Sequence, residues 1–270
     1  MFQHVRAARE FALHLIEGGP RKQDSELAGI LFEAYAYFAL LSHFERRPLL
    51  APSYSEDPIL SALDQIRQYQ TFGSFLGCAY RLYELIPAVS RLVLYEKRSI
   101  SRNDEPRNRD LYENLRRSVA HWSAEEECGT TSPDQAPGQS AEQIAGMIVQ
   151  NALLMLLHDC RVGEGEGPGD IMQDIQPLID DTMSLFELIS ADPVGNVIVW
   201  PMLITGSMMQ KESQRQCLAQ TFLTHHAHTA LSDRIAELLQ WVWEDDEEST
   251  FGIAGLEKVA RQHKTHLCYA

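Results

Sequence analysis

Helical periodicity is the feature of this sequence that most limits its fold. Between Phe75 and Val93 the apolar residues recur every three or four positions, as they do along one face of an α-helix. The same spacing returns from Ile144 to Met155 and from Leu231 to Val242. No two Val-, Ile- and Thr-rich runs are joined by an Asn-Gly or Asp-Gly turn, the usual hairpin signal. The pattern predicts an all-α protein with roughly ten helices.

Boundary signals agree with this prediction. Ser140 and Gln143 have the spacing of a capping box, and Asp24 or Ser25 can cap the helix that follows them. Pro87 is expected to kink the helix that contains it. Two segments rich in turn formers, Glu127 to Ser140 and Gly163 to Asp170, predict long surface loops. The helices on either side are apolar on one face and need partners, so residues 1–270 are predicted to form one helical domain.

Composition excludes several classes of protein. With 270 residues and 44% hydrophobic content, the chain can bury a sizeable core. Lysine and arginine number 23 against 38 acidic residues, and the net charge of -15 would repel a nucleic-acid backbone. We therefore expect no direct nucleic-acid binding by this chain. No apolar run reaches the roughly 18 residues that span a bilayer, and no leader peptide is evident, so a membrane partner is not expected either.

The five cysteines predict neither a disulfide framework nor a metal knuckle. They are odd in number and widely scattered, so we expect reduced thiols. The run GEGEGPGD follows a helix and carries Glu164 and Glu166 instead of a lysine, so it does not suit a phosphate. The chain also lacks the GxSxG and HExxH signatures of hydrolases and zinc proteases.

Carboxylate and histidine patterns do not complete a metal site. Asp180 and Ser184 share a helix face, but Glu187 is turned about 100° away, so the magnesium set of a terpene cyclase lacks its third ligand. His225, His226 and His228 in THHAHT fit a polar helix terminus better than a metal site. The sequence predicts no metal and no cofactor.

Five segments taken in order carry a family resemblance. They are HVRAAREFALHLI, LFEAYAYFALLSHFERRPLL, FGSFLGCAYRLYELIPAVSRLV, VIVWPMLITGSMMQKESQRQCL and LLQWVWEDDEE. Together they resemble the fungal-specific transcription factor regulatory domain, the helical region C-terminal to zinc binuclear cluster motifs. The cysteine cluster itself is absent, since no two cysteines lie two or six positions apart. Leu256 stands where the resemblance leads us to expect a tryptophan.

The segment Val197 to Met208 has a specific role in this resemblance. There a helix bearing a tryptophan and a proline, here Trp200 and Pro201, runs into a glycine, and a polar helix with an arginine follows. We interpret the segment as a structural joint, with Pro201 in the first turn of its helix and Gly206 allowing a close helix crossing. The alternative is a segment that contacts a ligand.

The resemblance implies an effector-sensing or partner-binding module of a nuclear transcription factor. Its expected partners are a small apolar molecule, as in the regulation of secondary metabolism, or a protein such as a coactivator. Two alternatives stay open. One is a stand-alone enzyme that reuses the helical shell, such as a cyclase or isomerase of a small apolar metabolite, and the other is a protein that titrates a partner regulator.

Four residues are candidates for ligand binding, because each has a polar tip on or beside an apolar face. They are Tyr83, His158, Trp200 and His225. Binding sites in helical proteins combine an apolar wall with a few such polar tips. The alternative is that all four are residues of the core or of its boundary.

Overall fold

The computed structural model describes most of the chain. The described residues are 8–10, 13–14, 25–44, 57, 60, 63–96, 105–128, 140–160, 168–189, 195–225, 230–245, 247 and 250–265. All regular structure within these ranges is helical, and they contain no strand. The prediction of an all-α single domain is confirmed.

Eleven α-helices follow one another in the described ranges. They are α1 (Ser25–Leu41), α2 (Leu63–Ile66), α3 (Tyr80–Glu96), α4 (Glu105–Ala120), α5 (Ala124–Cys128), α6 (Ala141–Asp159), α7 (Pro168–Ile189), α8 (Gly195–Ser207), α9 (Glu212–His225), α10 (Ala230–Glu244) and α11 (Gly252–Gln262). Two 3₁₀ turns accompany them, Ser42–Phe44 after α1 and Gly77–Ala79 before α3.

Helix α6 lies at the centre of the fold. It packs most extensively against α7, and it also contacts α3, α4, α5, α8 and α11. Thirteen of its nineteen residues are buried, which is the pattern of a core helix rather than an amphipathic surface helix. The elements on either side of α6 therefore share one hydrophobic core.

The start of α6 is fixed by the predicted capping box. Gln143 donates its backbone N–H to Ser140 Oγ at 3.2 Å, and Ser140 donates its own N–H to Gln143 Oε1 at 2.9 Å. Both bonds satisfy N–H groups that a helix leaves without intrahelical partners. This boundary is confirmed as the sequence pattern predicts it.

Helix α1 combines an apolar composition with deep burial. By length and composition the stretch Glu26–Phe44 could cross a membrane, with 19 residues and a mean hydropathy of 1.4. The expectation that no segment reaches this length is therefore wrong. However, 67% of the stretch is buried inside the fold, as in the core helix of a globular protein, so it is weak evidence for a membrane span.

A buried carboxylate on α1 organises the segment before α3. Glu33 is fully buried, and its oxygens accept the backbone N–H groups of Gly73 (3.0 Å), Ser74 (3.2 Å), Phe75 (2.9 Å) and Leu76 (2.8 Å). Four donors compensate the desolvation of one buried negative charge. Glu33 thereby joins α1 to the chain that leads into α3.

This arrangement corrects the predicted start of α3. The apolar stripe was expected to form one helix from Phe75, but the α-helix begins at Tyr80 and is preceded by the 3₁₀ turn. Phe75 and Leu76 donate their N–H groups to Glu33 and stay outside the helix. Pro87 lies inside α3, as predicted.

Most residues of the two predicted loops, 129–139 and 163–167, lie outside the described residues. At their edges the prediction is wrong in two places. Glu127 and Cys128 form the end of α5, and Pro168–Asp170 form the first turn of α7. Proline suits the first turn of a helix, where its missing N–H would have no intrahelical partner.

The joint at α8 is confirmed at Gly206 and corrected at Pro201. A Cβ atom at position 206 would lie 2.7 Å from Leu239 Cδ1 and 2.8 Å from Leu218 Cδ2, so glycine allows the close crossing. Trp243 Nε1 also donates to the Gly206 carbonyl at 2.8 Å. Pro201 is not in the first turn, because α8 begins at Gly195 and includes the proline in its interior.

One cysteine departs from the expected reduced state. Cys78, in the 3₁₀ turn before α3, is disulfide-bonded, and its partner is not among the described side chains. Cys160 and Cys217 are free thiols, as expected. The prediction is wrong for Cys78 because widely spaced cysteines can meet through tertiary packing that sequence spacing does not reveal.

We expect Glu33→Ala to lower the free energy of unfolding by about 3–5 kcal/mol, because it removes the acceptor of four N–H groups near the core. Glu33→Gln keeps one carbonyl oxygen and should lose roughly half as much. Urea unfolding followed by circular dichroism measures both. Glu26→Gln, at an exposed position on the same helix, is the control. Equal stability of Glu33→Ala and the control would contradict this role.

Candidate functional site

Two of the four predicted ligand residues lie together in an aromatic cluster. Tyr83 on α3 and Trp200 on α8 are both fully buried, with ring centroids 6.4 Å apart. Phe44 stacks on Trp200 at 5.5 Å, and Tyr37 contacts Tyr83 at 5.6 Å. The cluster joins α1, α3 and α8 and is part of the hydrophobic core.

Burial determines the chemistry of this cluster. Desolvation, with smaller contributions from the Tyr37 and Glu33 charges, raises the pKa of Tyr83 well above its ordinary value of 10.0. Burial likewise raises the pKa of Tyr37. Both phenols therefore stay protonated at neutral pH. The buried Trp200 Nε1 has no hydrogen-bond acceptor among the described residues, so it is a donor available to a polar group.

The other two candidates lie elsewhere. His158 is near the end of α6, with its Nδ1 3.5 Å from Asp174 Oδ2 on α7. Its side chain is 16% exposed, so it belongs to the boundary of the core. His225 ends α9, and its side chain is outside the described residues. The structure thus brings Tyr83 and Trp200 together and places His158 at a separate helix contact.

A cavity that the sequence did not predict opens beside α3. Its volume is about 390 Å³, and it lies between the first half of α3, the end of α4 and helix α5. Its lining residues are Arg81, Leu82, Glu84, Leu85, Ser118, His121, Trp122, Ser123, Glu126 and Glu127. None of the four predicted ligand residues lines it, although Tyr83 lies between two residues that do.

Carboxylates dominate the charge of this cavity. Arg81 Nη1 lies 3.1 Å from Glu127 Oε1, so these two charges form an ion pair. Glu84 is half-buried, and its pKa is raised mainly by desolvation and further by Asp64. Arg81 acts in the opposite direction on Glu84. The cavity therefore holds more negative than positive charge.

One wall of the cavity rests on the central helix. Trp122 packs against Gly146 of α6, where a Cβ atom would lie 2.4 Å from its Cη2 atom. Gln150 of α6 donates its side-chain amide to the carbonyls of Val119 at 2.7 Å and Trp122 at 3.0 Å. His121 Nδ1 lies 2.8 Å from the Arg117 carbonyl, which holds its ring on α4. The polar contacts fix the wall to α6.

A second, smaller cavity of about 150 Å³ lies beside the end of α10. Its lining carboxylates, Asp245 and Glu247, form ion pairs with Lys258 at 2.9 Å and 2.7 Å. The Glu247 backbone N–H and Lys258 together lower the pKa of Asp245. Arg215 Nε donates to the Met209 carbonyl at 3.0 Å. These charges are paired within the fold, so this cavity offers less to a ligand than the larger one.

No metal centre is found in the described part of the chain, where no three His, Cys, Asp or Glu side chains converge. The acidic residues of α7 bind amides and a cation instead. Asp180 Oδ1 accepts from Gln176 at 2.8 Å and from Gln214 at 2.6 Å, and it lies 3.6 Å from Lys211 Nζ. His226 and His228 lie outside the described residues.

Comparison with known proteins places this helical domain among transcriptional regulators. Residues 3–254 match the fungal specific transcription factor domain, which covers most of the chain. The chain belongs to this family, and the resemblance seen in the sequence is confirmed. No curated protein and no solved structure gives a significant match. The family gives the chain a regulatory role in transcription.

We expect Glu84→Gln to stabilise the protein slightly at pH 7. Folding raises the pKa of Glu84 above its ordinary value of 4.5, so the protonated side chain favours the folded state. This stabilisation is present below pH 4.5 and is lost as the pH rises through the folded pKa. At pH 7 the charged carboxylate therefore destabilises the fold, and Glu84→Gln removes that charge. Solvent screening limits the gain to a Tm rise of about 1 °C. Differential scanning fluorimetry from pH 4 to pH 7 measures it, with the exposed Glu125→Gln as control. A lower Tm at pH 7 would contradict this expectation.

Proposed function

We propose that this chain is an effector-sensing or partner-binding regulatory module of a fungal transcription factor. The observation that carries the proposal is the family match over residues 3–254. The net charge of -15 argues against direct DNA contact by this chain, so regulation would pass through a small molecule or a protein partner. The module would act in the nucleus and without a membrane partner.

Two features of the fold favour effector sensing within this role. The larger cavity is of a size that holds a small molecule, and residues from α3, α4 and α5 line it. Its Trp122 wall touches α6, which contacts most of the other helices. An occupant that shifts Trp122 would act on the central helix, and close-packed interiors transmit such shifts.

A tethering experiment tests the regulatory role. The full 270-residue chain, fused to a heterologous DNA-binding domain in a fungal host, is expected to change transcription of a reporter at least about threefold relative to the DNA-binding domain alone. Reporter messenger RNA and the nuclear level of the fusion are measured together. A fusion that accumulates in the nucleus and leaves transcription unchanged would refute the proposal.

Tyr83 and Trp200, which lie together, remain our proposal for an additional apolar ligand site, and His158 and His225 remain separate candidates for ligand contact. If Tyr83 and His158 contact a ligand, Tyr83→Phe and His158→Ala will reduce the reporter response while each Tm stays within about 3 °C of the parent value. Tyr37→Phe, which removes a neighbouring buried hydroxyl, is the matched control. If the response falls only in proportion to stability, these residues belong to the core alone.

A further inference from the structure

We propose that the cavity between α3, α4 and α5 binds an organic cation, namely a primary ammonium group attached to a small apolar body. This inference rests on the proposed function, because it gives the chemical class of the effector. The negative charge of the cavity, the half-buried position of Glu84 and the apolar lining suit such a ligand. The four ligand residues predicted from the sequence do not line this cavity, and the family match assigns no ligand to it.

The cavity is lined by more acidic than basic side chains. Three carboxylates, Glu84, Glu126 and Glu127, line the cavity together with one guanidinium group, that of Arg81. The guanidinium group is paired with Glu127, and in the described part of the chain no cation lies within ion-pair distance of Glu84 or Glu126. The cavity therefore carries a net negative charge, which Arg81 and Arg67 offset only in part at Glu84. An ammonium group would neutralise one of the carboxylates, whereas an anion would be repelled.

Glu84 lies where its charge is partly shielded from water. Its carboxylate is half-buried on α3, between Leu82 and Leu85, which also line the cavity. A carboxylate partly removed from water, with cations nearby but none in a direct ion pair, is unfavourable for the folded protein. A bound cation would relieve this cost. Charged groups arranged at the expense of stability are typical of binding sites rather than of structural contacts.

The cavity also has an apolar surface for the body of the ligand. Leu82, Leu85 and the indole of Trp122 contribute the apolar lining of the cavity. A volume of about 390 Å³ is at the small end of the range for ligand pockets, so the body would be a short alkyl chain or a single ring. Among aromatic side chains, tryptophan is also the one whose ring face attracts cations most strongly.

A metal ion fits this cavity less well than an organic cation. A divalent ion prefers several converging oxygen ligands, and no three acidic, histidine or cysteine groups converge within the described ranges. Ser118, Ser123 and His121 can instead each accept a single hydrogen bond from an ammonium group. The net charge of -15 raises the local concentration of cations of either kind, so selectivity has to come from the cavity itself.

Calorimetry with small probes tests the inference on the full chain. Phenethylammonium and hexylammonium are titrated at physiological salt, beside the neutral 2-phenylethanol and the anionic 3-phenylpropanoate. We expect saturable binding of one equivalent of at least one ammonium probe, about tenfold tighter than either control compound. If neither ammonium probe saturates, or if the alcohol binds as tightly, the inference is wrong.

Matched variants locate the binding. Glu84→Gln and Glu126→Gln should each weaken ammonium binding about fivefold or more, whereas Glu125→Gln, on the same helix as Glu126 but outside the cavity lining, should leave it unchanged. Glu84→Gln is expected to keep or raise the Tm, so its loss of binding cannot come from unfolding. Equal losses in all three variants would indicate a general charge effect and overturn the site.

The outcome is separable from that of the tethering experiment. A reporter response without ammonium binding would leave the regulatory role in place and remove the cationic effector. Ammonium binding without a reporter response would retain the site and refute the regulatory role. When both are observed, adding the probe to the host should change the response of the parent fusion and not that of the Glu84→Gln fusion.

Discussion

The N-terminal half of the fold depends on the buried carboxylate of Glu33. A charge without water needs close hydrogen-bond donors, and the backbone of residues 73–76 supplies four of them. Those N–H groups bind Glu33, so the chain there stays irregular and α3 begins only at Tyr80. The helix then presents Tyr83 to the core and Arg81 and Glu84 to the cavity. The hydrogen bonds to Glu33 thus fix the chain directly before the helix that serves both the core and the cavity.

Helix α6 connects this half to the rest of the molecule. Its Asn151 donates to Asp181 Oδ2 at 2.8 Å and to Thr182 Oγ1 at 3.2 Å on α7. Polar contacts beside a closely packed apolar interface favour one register, because a shifted helix would leave them unpaired. Helix α6 therefore carries both the contact with Trp122 in the cavity wall and the polar contact with α7.

Local signals in the sequence predicted local structure well. Ser140 and Gln143 are three residues apart, so their capping box depends on the chain around them and could be recognised. Gly206 was also identified correctly, since only glycine tolerates the approach of Leu218 and Leu239. The start of α3 could not be found, because a glutamate forty residues earlier determines it. The cavity was missed for the same reason: its residues come from three helices, and only the folded chain brings Arg81 beside Glu127.

The contact between Trp122 and Gly146 also bears on how this family can diverge. No side chain fits at position 146 while the indole occupies its present place, since even a methyl group would overlap the ring. Alanine or a larger residue at the equivalent of position 146 therefore requires either a smaller side chain or a displaced indole at the equivalent of position 122. Either change would open the wall of the cavity. Within the family, the identity of these two residues together should separate members that admit larger molecules from those that admit only small ones.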